Sequence, residues 1–274
     1  MNRTWGVRVL CSAALLAVFV NVPCKSSAQT SSEQVQVSLP LPSQSEPPNP
    51  TQTVAQLEQR GDELRGNKAY YDALDFYREA LKKAPKTASL HNKAGICLLQ
   101  TQRYPEAGKE FALAIRADKT YADAYNNFGV VQYEAKKYGK ALSYYARAIR
   151  LQPETASFYN NQGAAYFAKK QFDKASDAYM KAMQLDPDIF ERKSHNGITA
   201  QLPSPEDRAH YDYAIARLYA RLNEPDRSLG YLRRAMEEGY KGINDVYKDD
   251  EFSNLRKDPR FSDLMKQRPV AISD

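Results

Sequence analysis

The chain has 274 residues, 26% of them charged and 42% hydrophobic, with a formal net charge of +6. That length suits one large domain or two ordinary ones. Its three cysteines, Cys11, Cys24 and Cys97, exclude a disulfide-rich scaffold and a four-cysteine metal site. The one apolar run near membrane length falls in the first 25 residues, so no later segment is expected to span a bilayer.

Residues 1–28 read as an export signal. Arg3 and Arg8 give a positive start, Val9 to Val20 form a short apolar core, and Ser26, Ser27 and Ala28 supply small residues for cleavage before Gln29. A retained anchor and a lipid-modified Cys24 are the alternatives. Cleavage removes Arg3, Arg8 and Lys25 and no acid, which leaves a net charge of +3 and no strong electrostatic case for nucleic acid. It also leaves Cys97 alone, without a disulfide partner. Residues 29–53 are rich in Ser, Gln and Pro and carry almost no large apolar side chain after Leu41, so a disordered linker is expected there.

Beyond the linker the chain repeats with a period of 34 residues. Gly61, Gly95, Gly129 and Gly163 form one column. Ala73, Ala107, Ala141 and Ala175 follow twelve positions later, then Tyr77, Phe111, Tyr145 and Tyr179, then Ala80, Ala114, Ala148 and Ala182. Pro85, Pro153 and Pro187 close three units, and Lys119 stands in that place in the second. Around Gly129 the residues Tyr125, Phe128, Val131 and Tyr133 recur at helical steps, and Ala141, Leu142, Tyr145, Ala148 and Ile149 do the same for a second helix. The short connection at Gly139-Lys140 makes the two antiparallel neighbours. A glycine at the crossing lets the axes approach while the aromatic fills the space beside it.

This pattern resembles the tetratricopeptide repeat, whose signature has this period. The resemblance implies an all-α, right-handed α-solenoid of helix-turn-helix repeats in four units, 54–87, 88–121, 122–155 and 156–189. The register then breaks. An insertion loop is placed at 190–208, and Ala216, Ser228, Leu232 and Ala235 fill the columns of a degenerate fifth unit at 209–242. Ser204-Pro205-Glu206-Asp207 is a helix start, with an N-cap, a proline and two acids in the first turn. In 243–274 the Asp258-Pro259 pair and the spacing of Phe252, Leu255, Phe261, Leu264 and Met265 suit a C-terminal helical cap over the open end.

Nothing in the sequence marks a catalyst. There is no phosphate loop, dinucleotide turn or nucleophile elbow, and His91, His195 and His210 have no partner at metal-ligand spacing. No catalytic residue, metal or cofactor is expected. Two surfaces stand out instead. Lys68, Arg103, Lys136, Lys137, Lys169 and Lys170 fall at or near the turns within the units and would stack into a basic edge. Asn92, Asn126 and Asn160 lie 34 apart, and Asn127 and Asn161 follow two of them. The resemblance places these on the concave wall with Asp123. Asparagine is a poor helix former whose amide can grip an extended peptide backbone, and its other reading is to join neighbouring repeats. The carboxylate clamp of chaperone-binding relatives requires lysines and an arginine in the groove, whereas the matching positions here are Asp123, Asn126, Asn127 and Ser157.

The reading is therefore a non-enzymatic, exported interaction module of the periplasm or cell envelope that takes a protein or peptide partner in its groove. The alternative is a binder of anionic glycan or lipid through the basic edge. No nucleic-acid partner is expected, and membrane association is expected only if the signal segment is retained.

Overall fold

The computed structural model describes residues 46–191 and 204–267, within the compact unit Pro42–Asp274. The export signal at 1–28, most of the 29–53 linker, His195 and most of the insertion lie outside the described residues. Among those described, the regular structure is all helical.

Eight helices form four antiparallel pairs: α1 (Val54–Gly66) with α2 (Tyr70–Lys83), α3 (Ala88–Gln100) with α4 (Tyr104–Ala117), α5 (Ala122–Glu134) with α6 (Tyr138–Leu151), and α7 (Ala156–Ala168) with α8 (Phe172–Leu185). The array opens on a capping box, in which Thr53 Oγ1 accepts from Gln56 N–H and the Gln56 side chain accepts from Thr53 N–H. Each pair turns the same way. The first helix ends with a residue in the left-handed region, Lys68, Gln102, Lys136 or Lys170, at φ between 57° and 62°. The next N–H then reaches back five residues, as from Lys137 to the Gln132 carbonyl at 2.8 Å, which satisfies carbonyls the helix end would otherwise strand.

The glycine column has a steric cause. A Cβ built on Gly61, Gly95, Gly129 or Gly163 would lie 2.5–2.6 Å from a ring carbon of Tyr77, Phe111, Tyr145 or Tyr179 respectively. All four rings are essentially fully buried, so the ring occupies the volume a side chain would take. Lys119 does not lengthen the second unit. Its helix stops at Ala117, 34 residues after Lys83, because the Asp118 carboxylate accepts from the backbone N–H and hydroxyl of Thr120.

Within the array each pair leads into the next at the near end. Phe158, early in α7, packs with Ala148, Ile149 and Leu151 at the end of α6. After α8 this changes. The next helix, α9 (Pro205–Arg221), begins beside the start of α8: the His210 ring lies 4.3 Å from Phe172 and Tyr211 lies 5.4 Å from Tyr179. At its other end Tyr219 Oη approaches the Pro187 carbonyl at 3.5 Å, and Arg227, in α10 (Pro225–Glu237), donates to the same carbonyl at 2.9 Å. α9 therefore runs parallel to α8, and the α9–α10 pair is turned end for end relative to the four before it.

The expected N-cap is in place, with Ser204 Oγ accepting from Asp207 N–H at 3.0 Å. The helix thus starts inside the stretch expected as insertion. Within the pair the columns pack as assigned: Ala216, Ser228, Leu232 and Ala235 are all fully buried, and Ser228 Oγ donates to the Ala216 carbonyl at 2.8 Å. Here an alanine and a leucine replace the glycine and the aromatic together. The tail adds three short 3₁₀ turns, Ile243–Tyr247, Asp250–Phe252 and Leu255–Lys257, and then α11 (Pro259–Gln267). Phe252, Leu255, Phe261, Leu264 and Met265 are buried in one cluster with Tyr213, Leu232 and Met236. Tyr213 Oη donates to Asp249 at 2.7 Å and Arg217 to Glu251 at 2.9 Å, fastening the tail to α9.

Candidate functional site

The asparagines form a ladder between successive first helices. Asn127 Nδ2 donates to Asn92 Oδ1 at 3.0 Å, and one unit on Asn161 Nδ2 donates to Asn126 Oδ1 at 3.0 Å. Asn126 Nδ2 donates to Asn127 Oδ1 at 3.1 Å, and Asn92 Nδ2 donates to the Tyr121 hydroxyl at 3.3 Å. Asn92, Asn126, Asn127, Asn160 and Asn161 are all buried. Amides expected to line an open groove therefore lie between α3, α5 and α7, where those of Asn92, Asn126, Asn127 and Asn161 are directed at one another. A buried polar group must be paired in this way, and once paired it has little left to offer a ligand backbone.

The same ladder holds a rung that sequence reasoning missed. Lys93 stands 34 residues before Asn127, and its ammonium donates to Glu58 Oε1 at 2.7 Å and Asp62 Oδ2 at 2.6 Å on α1. This is the same step from one first helix to the one before it, made with charges. The signal was present as a column reading Lys93, Asn127, Asn161. In the turned pair the corresponding position is Ala214, which has no amide to donate. Asp62 also accepts from the Tyr77 hydroxyl at 2.7 Å, and that hydroxyl accepts from Arg65 Nε at 3.2 Å. Hydrogen bonds from Lys93 and Tyr77 outweigh burial and hold the Asp62 carboxyl below its ordinary range.

Asp123 stays partly accessible, and burial pushes its carboxyl upward. Ser89 and Ser157, one unit to either side, are also partly accessible. Of the basic edge, Lys68, Lys136, Lys137, Lys169 and Lys170 are exposed at the turn tips. Arg103 differs from them, because its guanidinium is engaged by Glu106, with Nε to Oε1 at 2.8 Å.

Cys97 and the two described histidines are held within the packing. Cys97 is fully buried, and desolvation pushes its thiol up to about 12, far from a thiolate at neutral pH. His91 is buried with Nδ1 2.7 Å from Glu110 Oε2 and Nε2 3.0 Å from the Pro85 carbonyl. His210 is packed among Phe167, Phe172 and Tyr240, and burial lowers its pKa. Among the described residues no three His, Cys, Asp or Glu side chains group so as to hold a metal ion, and no helix is long and apolar enough to cross a membrane.

Comparison with known proteins agrees with the repeat geometry. Tetratricopeptide-repeat families match residues 59–122, 122–155 and 156–189, and the later two boundaries coincide with the starts of α5 and α7. No curated protein matches the chain. Among solved structures, MamA 41-end from Desulfovibrio magneticus RS-1 is 18% identical, over 68% of this chain and 94% of that one, with a TM-score of 0.48. TTC0263, a thermophilic TPR protein of Thermus thermophilus, is 20% identical over 74% and 100%, with a TM-score of 0.49. YrrB, a TPR protein with an unusual peptide-binding site, is 20% identical over 70% and 89%, with a TM-score of 0.45. The matched residues carry the glycine–aromatic crossing and the left-handed turn in every unit, and the protein is a member of the tetratricopeptide-repeat family.

Proposed function

We propose that the protein is a non-enzymatic interaction module, exported to the periplasm or cell envelope, that acts as an adaptor or assembly factor by holding a peptide or protein partner along its first helices. The observation that carries this reading is the locked array. Three rungs join α1, α3, α5 and α7 into one layer, so the accessible side chains on that layer keep fixed spacings. A preorganised surface loses less entropy when a flexible partner docks. With the amides buried, recognition passes to the accessible column of Ser89, Asp123 and Ser157. Asp123 supplies a half-buried carboxylate suited to a lysine, arginine or amino terminus of the partner. Arg3, Arg8 and the Val9–Val20 run support export.

The test is capture of partners from envelope extract, identification by mass spectrometry, and titration of the purified partner against the protein and its Asp123→Asn variant. Loss of a charge-assisted contact predicts about 10-fold weaker binding. Equal affinity of the two proteins would remove Asp123 from the site, and recovery of intact Met1 from the envelope would reject cleavage before Gln29.

A further inference from the structure

The rim formed by the turn tips makes a second surface, independent of the first helices. Lys68, Lys136 and Lys170 occupy the left-handed position of their turns at φ 62°, 57° and 57°, a conformation that L side chains other than asparagine adopt at a cost. The same turn elsewhere in this chain uses the residues that fit it best, Asn223 after α9 and Gly239 after α10. Strained lysines thus recur at the turns within the pairs along one edge of the array, while Asn223 serves the turn within the α9–α10 pair at the opposite edge. Lys137 and Lys169 adjoin two of them, and all five are exposed. Among the described residues none of the five has a carboxylate within 4.0 Å, whereas Glu106 of the same rim is taken by Arg103 and Arg78. Two aromatic rings break the surface beside these turns, Tyr71 at 57% exposure and Phe172 at 39%.

We propose that this rim docks the protein onto an anionic phospholipid surface. Turn tips project from the edge of a solenoid and have no walls around them, so they suit a broad planar partner better than a chain that needs a cleft. Long lysine stems beside exposed aromatic rings also match the chemistry of a bilayer interface, where ammonium groups meet phosphates and rings sit at headgroup level. This attachment is separate from the N-terminal apolar run, and from partner binding on the first helices.

The test is sedimentation of the full chain with vesicles of phosphatidylcholine alone and of phosphatidylcholine with phosphatidylglycerol, at low and high salt. Binding is expected to the anionic vesicles and to weaken with salt. The variant Lys136→Gln/Lys170→Gln keeps the backbone, since Gln102 already holds that conformation at φ 59° in the second unit. Each lysine near an anionic surface contributes about fivefold, so the double variant should partition about 25-fold less with an unchanged melting temperature. Equal partition of variant and parent would overturn the proposal. So would salt-insensitive binding to both vesicle types, which would assign attachment to the N-terminal run. Capture by soluble polyglutamate without vesicle binding would reassign the rim to an acidic polypeptide.

Discussion

Replacing Gly129 with alanine tests the glycine–aromatic crossing directly. The new methyl carbon would stand 2.5 Å from Tyr145 Cε1 and 2.7 Å from Cδ1. Tyr145 is fully buried, so the ring cannot swing into solvent. Overpacking of this kind costs about 1–3 kcal/mol, and a contact this short against a confined ring belongs at the upper end. Alanine returns about 1 kcal/mol of helix propensity, leaving a net loss of about 2 kcal/mol. The control is Gly230→Ala in α10, where an added Cβ meets nothing within 4 Å and the propensity gain of about 1 kcal/mol stands alone. The turned pair supplies the compensating change, because Ala216 and Leu232 fill these two columns there and both are fully buried. Tyr145→Leu alone opens a cavity, and in combination the methyl group added by Gly129→Ala fills part of it. A double-mutant cycle by urea unfolding, followed by far-UV circular dichroism, should give a favourable coupling of about 1.5–3 kcal/mol. Additive effects, or a Gly129→Ala protein as stable as the parent, would refute the steric account.

Three other perturbations read different parts of the array. Tyr77→Phe removes a hydroxyl that donates to Asp62 and accepts from Arg65, and should lower stability by about 1–2 kcal/mol; Tyr179→Phe removes one with no hydrogen-bond partner among the described residues and should be neutral or stabilising by calorimetry. Asn127→Ala strands a carbonyl oxygen of Asn92 and an amide of Asn126 in the interior, and should cost about 2–4 kcal/mol in urea unfolding. His91 faces two acceptors, Glu110 and the Pro85 carbonyl, with Arg116 opposing. Its hydrogen bond to Glu110 outweighs burial and raises its pKa above the ordinary 6.5. Its stabilisation is therefore full below that value and lost as pH rises through the higher folded one, so the urea midpoint should fall as pH is raised above the ordinary histidine range, and His91→Gln should flatten the fall.

The legible part of this protein was whatever repeats with a local cause. Gly129 and Tyr145 announce a crossing because each needs the other within one helix pair, and Ser204 announces a helix start because an N-cap acts over three residues. The asparagine column was equally visible, but periodicity reports only that a position matters. Whether Asn126 faces a ligand or the amide of Asn161 depends on how closely adjacent helices approach. Lys93 was obscured by its charge: a lysine in an asparagine column looks like a departure until Glu58 and Asp62 are found opposite it. The direction of α9 lay furthest from view, since the same columns are filled whichever way the pair is laid against α8.

That reversal bears on self-association. A repeat array is bounded at each end by surfaces that resemble its own internal junctions, so the last unit of one molecule is in principle shaped to receive the first unit of another. Head-to-tail contacts of that kind grow into open filaments unless their rotation closes a ring. Turning the α9–α10 pair end for end removes the match at one terminus: the amide donor is replaced by Ala214, and the helix presented runs in the wrong sense to act as the next rung. The tail from Ile243 to Gln267 then packs over α9. The C-terminal pair thus ends the run of like junctions, and the protein is expected to self-associate less than a bare stack of its four repeats.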